Sequence, residues 1–124
     1  MAVQPWRERL DRALHEVVHQ IVPALDPEQI ILFGSMARGD VHEDSDLDLL
    51  IVKETDRPFL RRIDDVLAVL DVDVPVEPLV YTPAELARMR DEGRDFILTI
   101  LEEGRVVYER RSEPEAGVSV ARNR

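Results

Sequence analysis

The chain has 124 residues, enough for one domain, and apolar residues make up 44% of it, which is typical of a globular protein with a modest core. It carries 26 acidic and 16 basic residues, and the resulting net charge of −10 makes direct binding to the phosphates of a nucleic acid unfavourable. There is no apolar run near the roughly 18 residues of a membrane span, no signal-peptide pattern at the N-terminus and no cysteine for disulfides or thiolate metal sites, so we expect a cytoplasmic protein.

The first predicted element is an amphipathic helix that begins near Trp6. Its apolar residues recur every three or four positions and form one stripe: Trp6, Leu10, Ala13, Leu14, Val17, Val18 and Ile21. Pro23 and Pro27 are expected to bracket the end of this helix. His15 and His19 have a spacing that can hold a metal ion, but we interpret them as part of the solvent-exposed face because no third ligand lies nearby.

Short apolar runs then alternate with helical patterns. Residues 29–33 predict a buried strand, residues 35–39 a single helical turn, and residues 47–52 a second buried strand. Residues 59–70 have helical spacing. Residues 72–81 are rich in β-branched side chains and predict a third strand, whose prolines favour an edge position or a local irregularity.

The next helix has a strong start signal. Thr82 is a suitable N-cap, Pro83 occupies the first helical position, and Glu85 at the third completes a capping box. Gly93 is expected to end this helix. A further helix is indicated by an apolar stripe of Phe96, Ile97, Ile100 and Leu101, and a short strand is predicted over residues 106–108.

This order of elements predicts an α/β (α+β) domain with a small mixed β-sheet flanked by helices. We place the domain at residues 1–111. Residues 112–124 lack a periodic apolar pattern and contain Pro, Gly, Ser and Asn, so they predict a disordered tail.

The turn after the first predicted strand is suited to binding an anion. The strand ends at Gly34 and Ser35, where a helical turn begins, and backbone N–H groups at such a start point towards a negative charge. Ser35 adds a hydroxyl group, and Arg38 can return a guanidinium group to the same side. Taken alone, a Gly-Ser pair is more often an ordinary turn.

Two carboxylates follow at the start of the second predicted strand. Asp46 and Asp48 lie two positions apart, so they project from the same face of the strand and repel each other. A divalent cation between them removes this conflict, and such oxygen ligands suit Mg²⁺ or Mn²⁺. The alternative is a solvent-exposed strand start in an acidic loop that also contains Glu43 and Asp44.

This stretch resembles the minimal nucleotidyltransferases of the polymerase-β-like nucleotidyltransferase superfamily. The pattern of that family is Gly-Ser, ten intervening residues and Asp-x-Asp, which Gly34-Ser35 and Asp46-Leu47-Asp48 match without a gap. The resemblance implies a polymerase-β-like fold over about residues 5–110. It also implies two Mg²⁺ ions, with Mn²⁺ as a substitute, and a nucleoside triphosphate, here ATP, as substrate.

The resemblance further implies a third carboxylate on a later strand, shortly before a Thr-Pro helix start. Glu77 lies six residues before Pro83 and takes this position, although relatives commonly have Asp there; Asp73 has the same strand parity and is the alternative. The implied catalytic and metal-binding residues are Asp46, Asp48 and Glu77. The implied nucleotide-binding residues are Gly34, Ser35, Arg38 and Ser45, the last of which is expected mainly to orient the acidic loop.

The resemblance also implies a biological role. Minimal nucleotidyltransferases include antitoxins that are paired with HEPN-domain ribonuclease toxins, and some of these antitoxins transfer AMP from ATP to a tyrosine of the toxin. A chain of this length has no domain for a template, so we expect the acceptor to be a hydroxyl group on such a partner. Two alternatives stay open: an antitoxin that neutralises its toxin by binding alone, and a nucleotidyltransferase that modifies a small molecule.

Overall fold

The computed structural model describes residues 5–110, and these residues form helices on both faces of a four-stranded sheet. In chain order the elements are α1 (Pro5–Leu25), β1 (Gln29–Phe33), α2 (Ser35–Arg38), β2 (Leu47–Val52), α3 (Phe59–Ala68), β3 (Val76–Tyr81), α4 (Pro83–Asp91), α5 (Asp95–Glu103) and β4 (Arg105–Glu109). The predicted disordered tail, residues 112–124, lies outside the described residues.

The strands lie in the order β3-β2-β1-β4. Strand β1 is antiparallel to both β2 and β4, whereas β2 and β3 are parallel, so the predicted mixed sheet is confirmed. This arrangement brings the C-terminal end of β1 next to the N-terminal ends of β2 and β3. The turn after β1 and the starts of two other strands therefore meet at one end of the sheet.

Each face of the sheet is covered by a pair of helices. Helices α1 and α3 pack on one face, where the buried side chains are Leu10, Ala13, Leu14, Val17, Ile21, Ile30, Leu32, Leu47, Leu49, Ile51, Val66, Val74 and Val80. Helices α4 and α5 cover the other face, where the buried side chains are Ile31, Leu50, Val52, Leu86, Met89, Ile97 and Ile100. Strand β2 contributes to both layers, which explains why its sequence is apolar at nearly every position.

Helix α1 is amphipathic and ends at Leu25, between Pro23 and Pro27, as predicted. Pro23 lies within its last turn and has no N–H to donate to the preceding turn. Asp26 then adopts a φ of 50°, donates its N–H to the carbonyl of Val22 and ends the helix. The exposed His15 agrees with the predicted outward face. Among the described residues no helix is long and apolar enough to cross a membrane.

Strand β3 lies at the edge of the sheet, as its prolines predicted, but it is shorter than expected. It begins at Val76 rather than residue 72, because Pro75 has no N–H to donate to a neighbouring strand. The carbonyl of Pro75 instead accepts a hydrogen bond of 3.0 Å from the N–H of Leu47. Asp73 consequently lies in a bend before the strand.

The start of α4 is held by a partly buried ion pair as well as by its cap. The predicted capping box is present: Thr82 Oγ1 accepts from the N–H of Glu85 at 3.1 Å, and Glu85 Oε1 accepts from the N–H of Thr82 at 2.9 Å. The same carboxylate receives two hydrogen bonds from the buried Arg62, and this contact lowers the pKa of Glu85. Because Arg62 also donates to the carbonyl of Val80, it joins α3, β3 and α4.

Candidate active site

The turn after β1 requires glycine. Gly34 has φ 78° and ψ −156°, a backbone conformation that side chains with a Cβ rarely adopt. A Cβ at this position would also collide with the carboxylate of Asp48. Ala37 and Arg38 donate their N–H groups to the carbonyl of Gly34, so the short helix α2 begins at Ser35, as predicted. The turn therefore brings its backbone directly against a carboxylate of β2.

Strand register places three carboxylates on one face of the sheet. Asp48 pairs with Glu77 across the parallel strands β2 and β3, and directly paired residues project from the same face. Asp46 precedes Asp48 by two positions and shares its face, while Leu47 and Leu49 point into the core beneath α1. Asp46 and Asp48 are half-buried, and Glu77 is exposed.

Two of the three carboxyl groups, those of Asp48 and Glu77, have raised pKa values. Hydrogen bonding to Asp46, together with the charges of Asp46 and Asp48, raises the pKa of Glu77 above its ordinary value. Burial first, and the charge of Asp46 second, raise the pKa of Asp48. Such mutual repulsion in a site at a sheet end is typical of groups that share a cation.

The donor chemistry of this carboxylate cluster fits a divalent cation, since carboxylates that repel one another lose that repulsion when they share positive charge. The geometry does not form a ready-made metal site. Within residues 5–110, no three His, Cys, Asp or Glu side chains are arranged so that they could hold a metal ion. The Mg²⁺ or Mn²⁺ site is therefore a prediction that rests on the chemistry of the donors.

Ser45 connects the acidic loop to the turn after β1. Its side chain is buried, and its hydroxyl oxygen accepts hydrogen bonds from the N–H of His42 at 2.9 Å and from the hydroxyl of Ser35 at 3.2 Å. The contact with Ser35 crosses a separation of ten residues. The two hydrogen bonds give Ser45 the means to orient the loop that precedes Asp46, which is the role expected for it.

Arg38 lies on the same side of the site and is loosely held. Its guanidinium group is 3.4 Å from Asp40 and 3.9 Å from Glu103, and all three side chains are substantially exposed. Exposed ion pairs at these distances are weak. The positive charge of Arg38 also reaches Asp48, whose pKa it lowers slightly against the larger effects that raise it. Arg38 is therefore placed to exchange these partners for an anion at the turn.

The structure separates the two candidates for the third carboxylate. Glu77 is the register partner of Asp48, and it lies close enough to Asp46 and Asp48 for both to raise its pKa. Asp73 instead lines a shallow groove beside helix α1, next to Arg9 and Arg12. Only Glu77 of this pair contacts the aspartates, although its role in a reaction stays a prediction.

One part of the site was missed by sequence reasoning. A pocket of about 200 Å³ adjoins Gly34 on the side of α5. Its lining residues are Phe33, Gly34, Arg38, Phe96, Thr99, Ile100 and Glu103. Phe96 was predicted to lie in the apolar stripe of its helix, but 55% of its surface is exposed. The stripe is narrower than predicted because Ile97 and Ile100 alone are fully buried on α5.

The repulsion within the carboxylate cluster predicts a pH-dependent stability. Asp46→Asn is expected to raise the melting temperature by a few degrees near pH 7 in the presence of a chelator. The raised pKa values of Asp48 and Glu77 mean that the folded protein binds protons more tightly than the unfolded chain, so wild-type stability falls as the pH rises through those values. Asp46→Asn removes one of the repelling charges and therefore reduces this loss of stability at high pH.

The measurement is thermal unfolding of both proteins from about pH 4 to pH 8. The difference between them should grow with pH and close in acid, where the carboxyl groups are protonated. Asp44→Asn makes the same charge change in the exposed turn nearby and serves as the control. A difference that is the same at every pH, or equal to that of the control, would contradict the proposed repulsion.

Comparison with known proteins supports a group-transfer site. Residues 16–113 match the family described as "Polymerase beta, Nucleotidyltransferase". Two proteins of Methanocaldococcus jannaschii, named as candidate protein adenylyltransferases, are similar to the chain. MJ0604 is 40% identical over 81 residues, which is 65% of this chain and 78% of that protein, and MJ0141 is 35% identical over 75 residues, 56% and 74% respectively.

A solved structure shares the fold. The crystal structure of a candidate nucleotidyltransferase from Sulfolobus solfataricus superimposes with a TM-score of 0.62 at 20% sequence identity. The alignment covers 88% of this chain and 91% of that one. At this identity, the likeness shows that the two chains have the same architecture.

Proposed function

Because this chain belongs to the polymerase β nucleotidyltransferase family, we propose that it transfers AMP from ATP to a hydroxyl group of a partner protein. The family match confirms the predicted fold and the general class of reaction. ATP as donor and a protein as acceptor belong to the proposal. They are supported by the two relatives that are named as protein adenylyltransferases.

The proposal rests on one observation: the turn after β1 lies directly against the carboxylate cluster. Gly34 approaches the Asp48 carboxylate so closely that no side chain fits between them, and Asp48 is in register with Glu77. A triphosphate on the turn would thus place its phosphorus atoms beside groups that can hold a cation and accept a proton. Nucleotidyl transfer needs these three elements together.

The transfer step balances as a substitution at the α-phosphorus of ATP. The acceptor oxygen forms a bond to this phosphorus while the bond to the β-phosphate oxygen breaks, and pyrophosphate leaves. Glu77 is suited to receive the hydroxyl proton because it is a carboxylate in register with Asp48 on the neighbouring strand. A divalent cation bound by Asp46 and Asp48 would supply positive charge to neutralise the phosphates.

The residues of the turn would hold and align the leaving group. The backbone of Gly34 and the hydroxyl of Ser35 would bind the β- and γ-phosphates, and Arg38 can turn from its weak acidic partners to a phosphate oxygen. Ser45 keeps Ser35 and the acidic loop in a fixed relation. Alignment of this kind is a large part of catalysis in phosphoryl transfer.

For the acceptor we propose a tyrosine of a HEPN-domain ribonuclease toxin, which would make this protein an antitoxin. The resemblance to minimal nucleotidyltransferases is one support. The net charge of −10 is another, because it complements the basic surface of a protein that binds RNA. Tyrosine is also chemically suitable, since its pKa near 10 makes its hydroxyl easier to deprotonate than that of serine.

A second candidate is an antitoxin that neutralises its partner by contact alone. Two observations favour it. Within residues 5–110 the carboxylates are not arranged as a complete metal site, and Glu77 stands where relatives commonly have Asp. A weakened site would leave the binding surface intact.

The test is to incubate the protein with the HEPN-domain partner that the proposal names, Mg²⁺ and ATP, and to measure the intact mass of the partner. We expect an added adenylyl group, located on a tyrosine by peptide mapping. The α,β-methylene analogue of ATP is the matched control, because it binds with a similar shape but its bond to the leaving group is not cleaved. A partner that stays unmodified yet loses ribonuclease activity would favour neutralisation by contact.

A further inference from the structure

The pocket beside Gly34 opens directly from the proposed phosphate site. Gly34 contributes to its wall and also touches the Asp48 carboxylate, so the two spaces are continuous. Phe33 is the register partner of Asp48 on β1, and its side chain therefore lies on the same face of the sheet as the carboxylates. Whatever occupies this pocket is within reach of a triphosphate bound at the turn.

Phe96 gives the pocket an exposed aromatic wall. Its ring meets that of Phe33 at a centroid distance of 6.1 Å and an interplanar angle of 87°, an edge-to-face contact that fixes its orientation. More than half of the Phe96 surface is nevertheless exposed. An accessible aromatic face is suited to stacking on a flat ring, and nucleobases of any identity stack on such side chains.

The rim of the pocket supplies polar groups in a small space. Thr99 and Glu103 lie on the exposed side of α5, and Arg38 faces them from α2 at 3.9 Å from Glu103. A hydroxyl, a carboxylate and a guanidinium can bond to the amino groups, ring nitrogens and ribose hydroxyls of a nucleoside. Apolar walls with a few convergent polar groups are typical of small-molecule sites.

The strands on either side of Asp48 also leave separate approaches for the nucleotide and for the acceptor protein. Asp48 has Phe33 as its register neighbour on β1 and Glu77 as its register neighbour on β3. Under the proposed function, Glu77 receives the proton of the acceptor, so the acceptor hydroxyl approaches from the β3 side. The pocket on the β1 side is then left for the nucleotide.

We propose that the pocket formed by Phe33, Phe96, Thr99 and Glu103 binds the nucleoside part of the nucleoside triphosphate, with the base stacked on Phe96. This inference rests on the proposed function, because it presumes a triphosphate at Gly34 and Ser35. It adds a subsite that determines affinity for the base.

The test compares binding of ATP with binding of inorganic tripolyphosphate, each with Mg²⁺, by calorimetry. Phe96→Ala is expected to weaken ATP binding by about fivefold to a hundredfold, the usual range for loss of one base–aromatic stack, and to leave tripolyphosphate binding unchanged. Phe96→Tyr keeps the aromatic face and should retain the affinity for ATP. Leu98→Ala is the matched control, because Leu98 is 40% exposed on the same helix but does not line the pocket.

Each outcome decides the proposal. If Phe96→Ala leaves ATP binding unchanged, the nucleoside lies elsewhere, and a loss of transfer alone would assign the pocket to the aromatic ring of the acceptor. If the variant weakens ATP and tripolyphosphate equally, the side chain acts on the whole site and not on the base. If the wild-type protein binds neither ligand, the proposed function fails and this subsite fails with it.

Discussion

Replacing Asp46 and Asp48 together with Asn is expected to abolish nucleotidyl transfer, a fall on the order of a thousandfold or more. The reason is electrostatic. Asp48 lies on β2 against Gly34, and Asp46 shares its face two positions earlier. Under the proposed function, the neutral amides would no longer attract the cation that neutralises the phosphates. Loss of several kcal/mol of charge stabilisation corresponds to a reduction of this size.

The same variant is expected to keep its fold, because neither aspartate belongs to the buried core and their mutual repulsion is removed. Transfer should therefore be measured together with the melting temperature. ATP with Mg²⁺ should raise the melting temperature of the wild-type protein by mass action, and should not raise that of the double variant. The double change Glu43→Gln with Asp44→Asn alters the charge equally in the exposed turn and is the matched control.

Two results would contradict this account. Transfer that persists in the double variant would remove the aspartates from the reaction. An equal rise in the melting temperature of wild-type protein with ATP and either Mg²⁺ or a chelator would remove the cation from nucleotide binding. A double variant that still inhibits the partner, in turn, would separate binding of the toxin from its modification.

Much of the fold was predictable because local patterns and tertiary burial agree. The central strand β2 is apolar on both faces since helices cover both, and its predicted bounds, residues 47–52, are those observed. The capping box at Thr82 is a local device whose three residues determine a helix start without help from the rest of the chain. The edge position of β3 follows from Pro78, which has no N–H for a second neighbour.

The candidate site was predictable in part. Alternation along a strand puts Asp46 and Asp48 on one face from sequence alone. The pairing of Asp48 with Glu77, however, depends on where β3 begins relative to β2, and that register is determined by packing of the two strands. The contact between Gly34 and Asp48 likewise depends on the antiparallel pairing of β1 with β2.

The exposure of Phe96 was not predictable from the sequence, because it depends on how α5 packs against distant parts of the chain. Phe96 has the spacing of a core residue, but α5 lies on the sheet so that Ile97 and Ile100 fill the space and Phe96 faces outward beside Phe33. The end of α1 was predictable by contrast, because Pro23 and Pro27 are local signals and the helix ends at Leu25 between them.

The pairing of Asp48 with Glu77 across β2 and β3 is tested most directly by substitution of the third carboxylate. Glu77→Gln is expected to lower transfer on the order of a hundredfold, because the amide neither accepts the acceptor proton nor adds negative charge beside Asp46 and Asp48. Asp73→Asn should leave transfer nearly unchanged, since Asp73 lies in the bend beside α1. Both variants remove one negative charge from the same segment, so they form a matched pair.

The pH dependence of transfer provides a second readout for Glu77. If this carboxylate accepts the proton, the wild-type rate should rise with pH as Glu77 ionises, because only the ionised form acts as a base. In Glu77→Gln that rise should disappear while affinity for tripolyphosphate changes little. The opposite ranking, with Asp73→Asn the inactive variant, would mean that the pairing of β2 with β3 in solution is shifted relative to the register of Asp48 with Glu77.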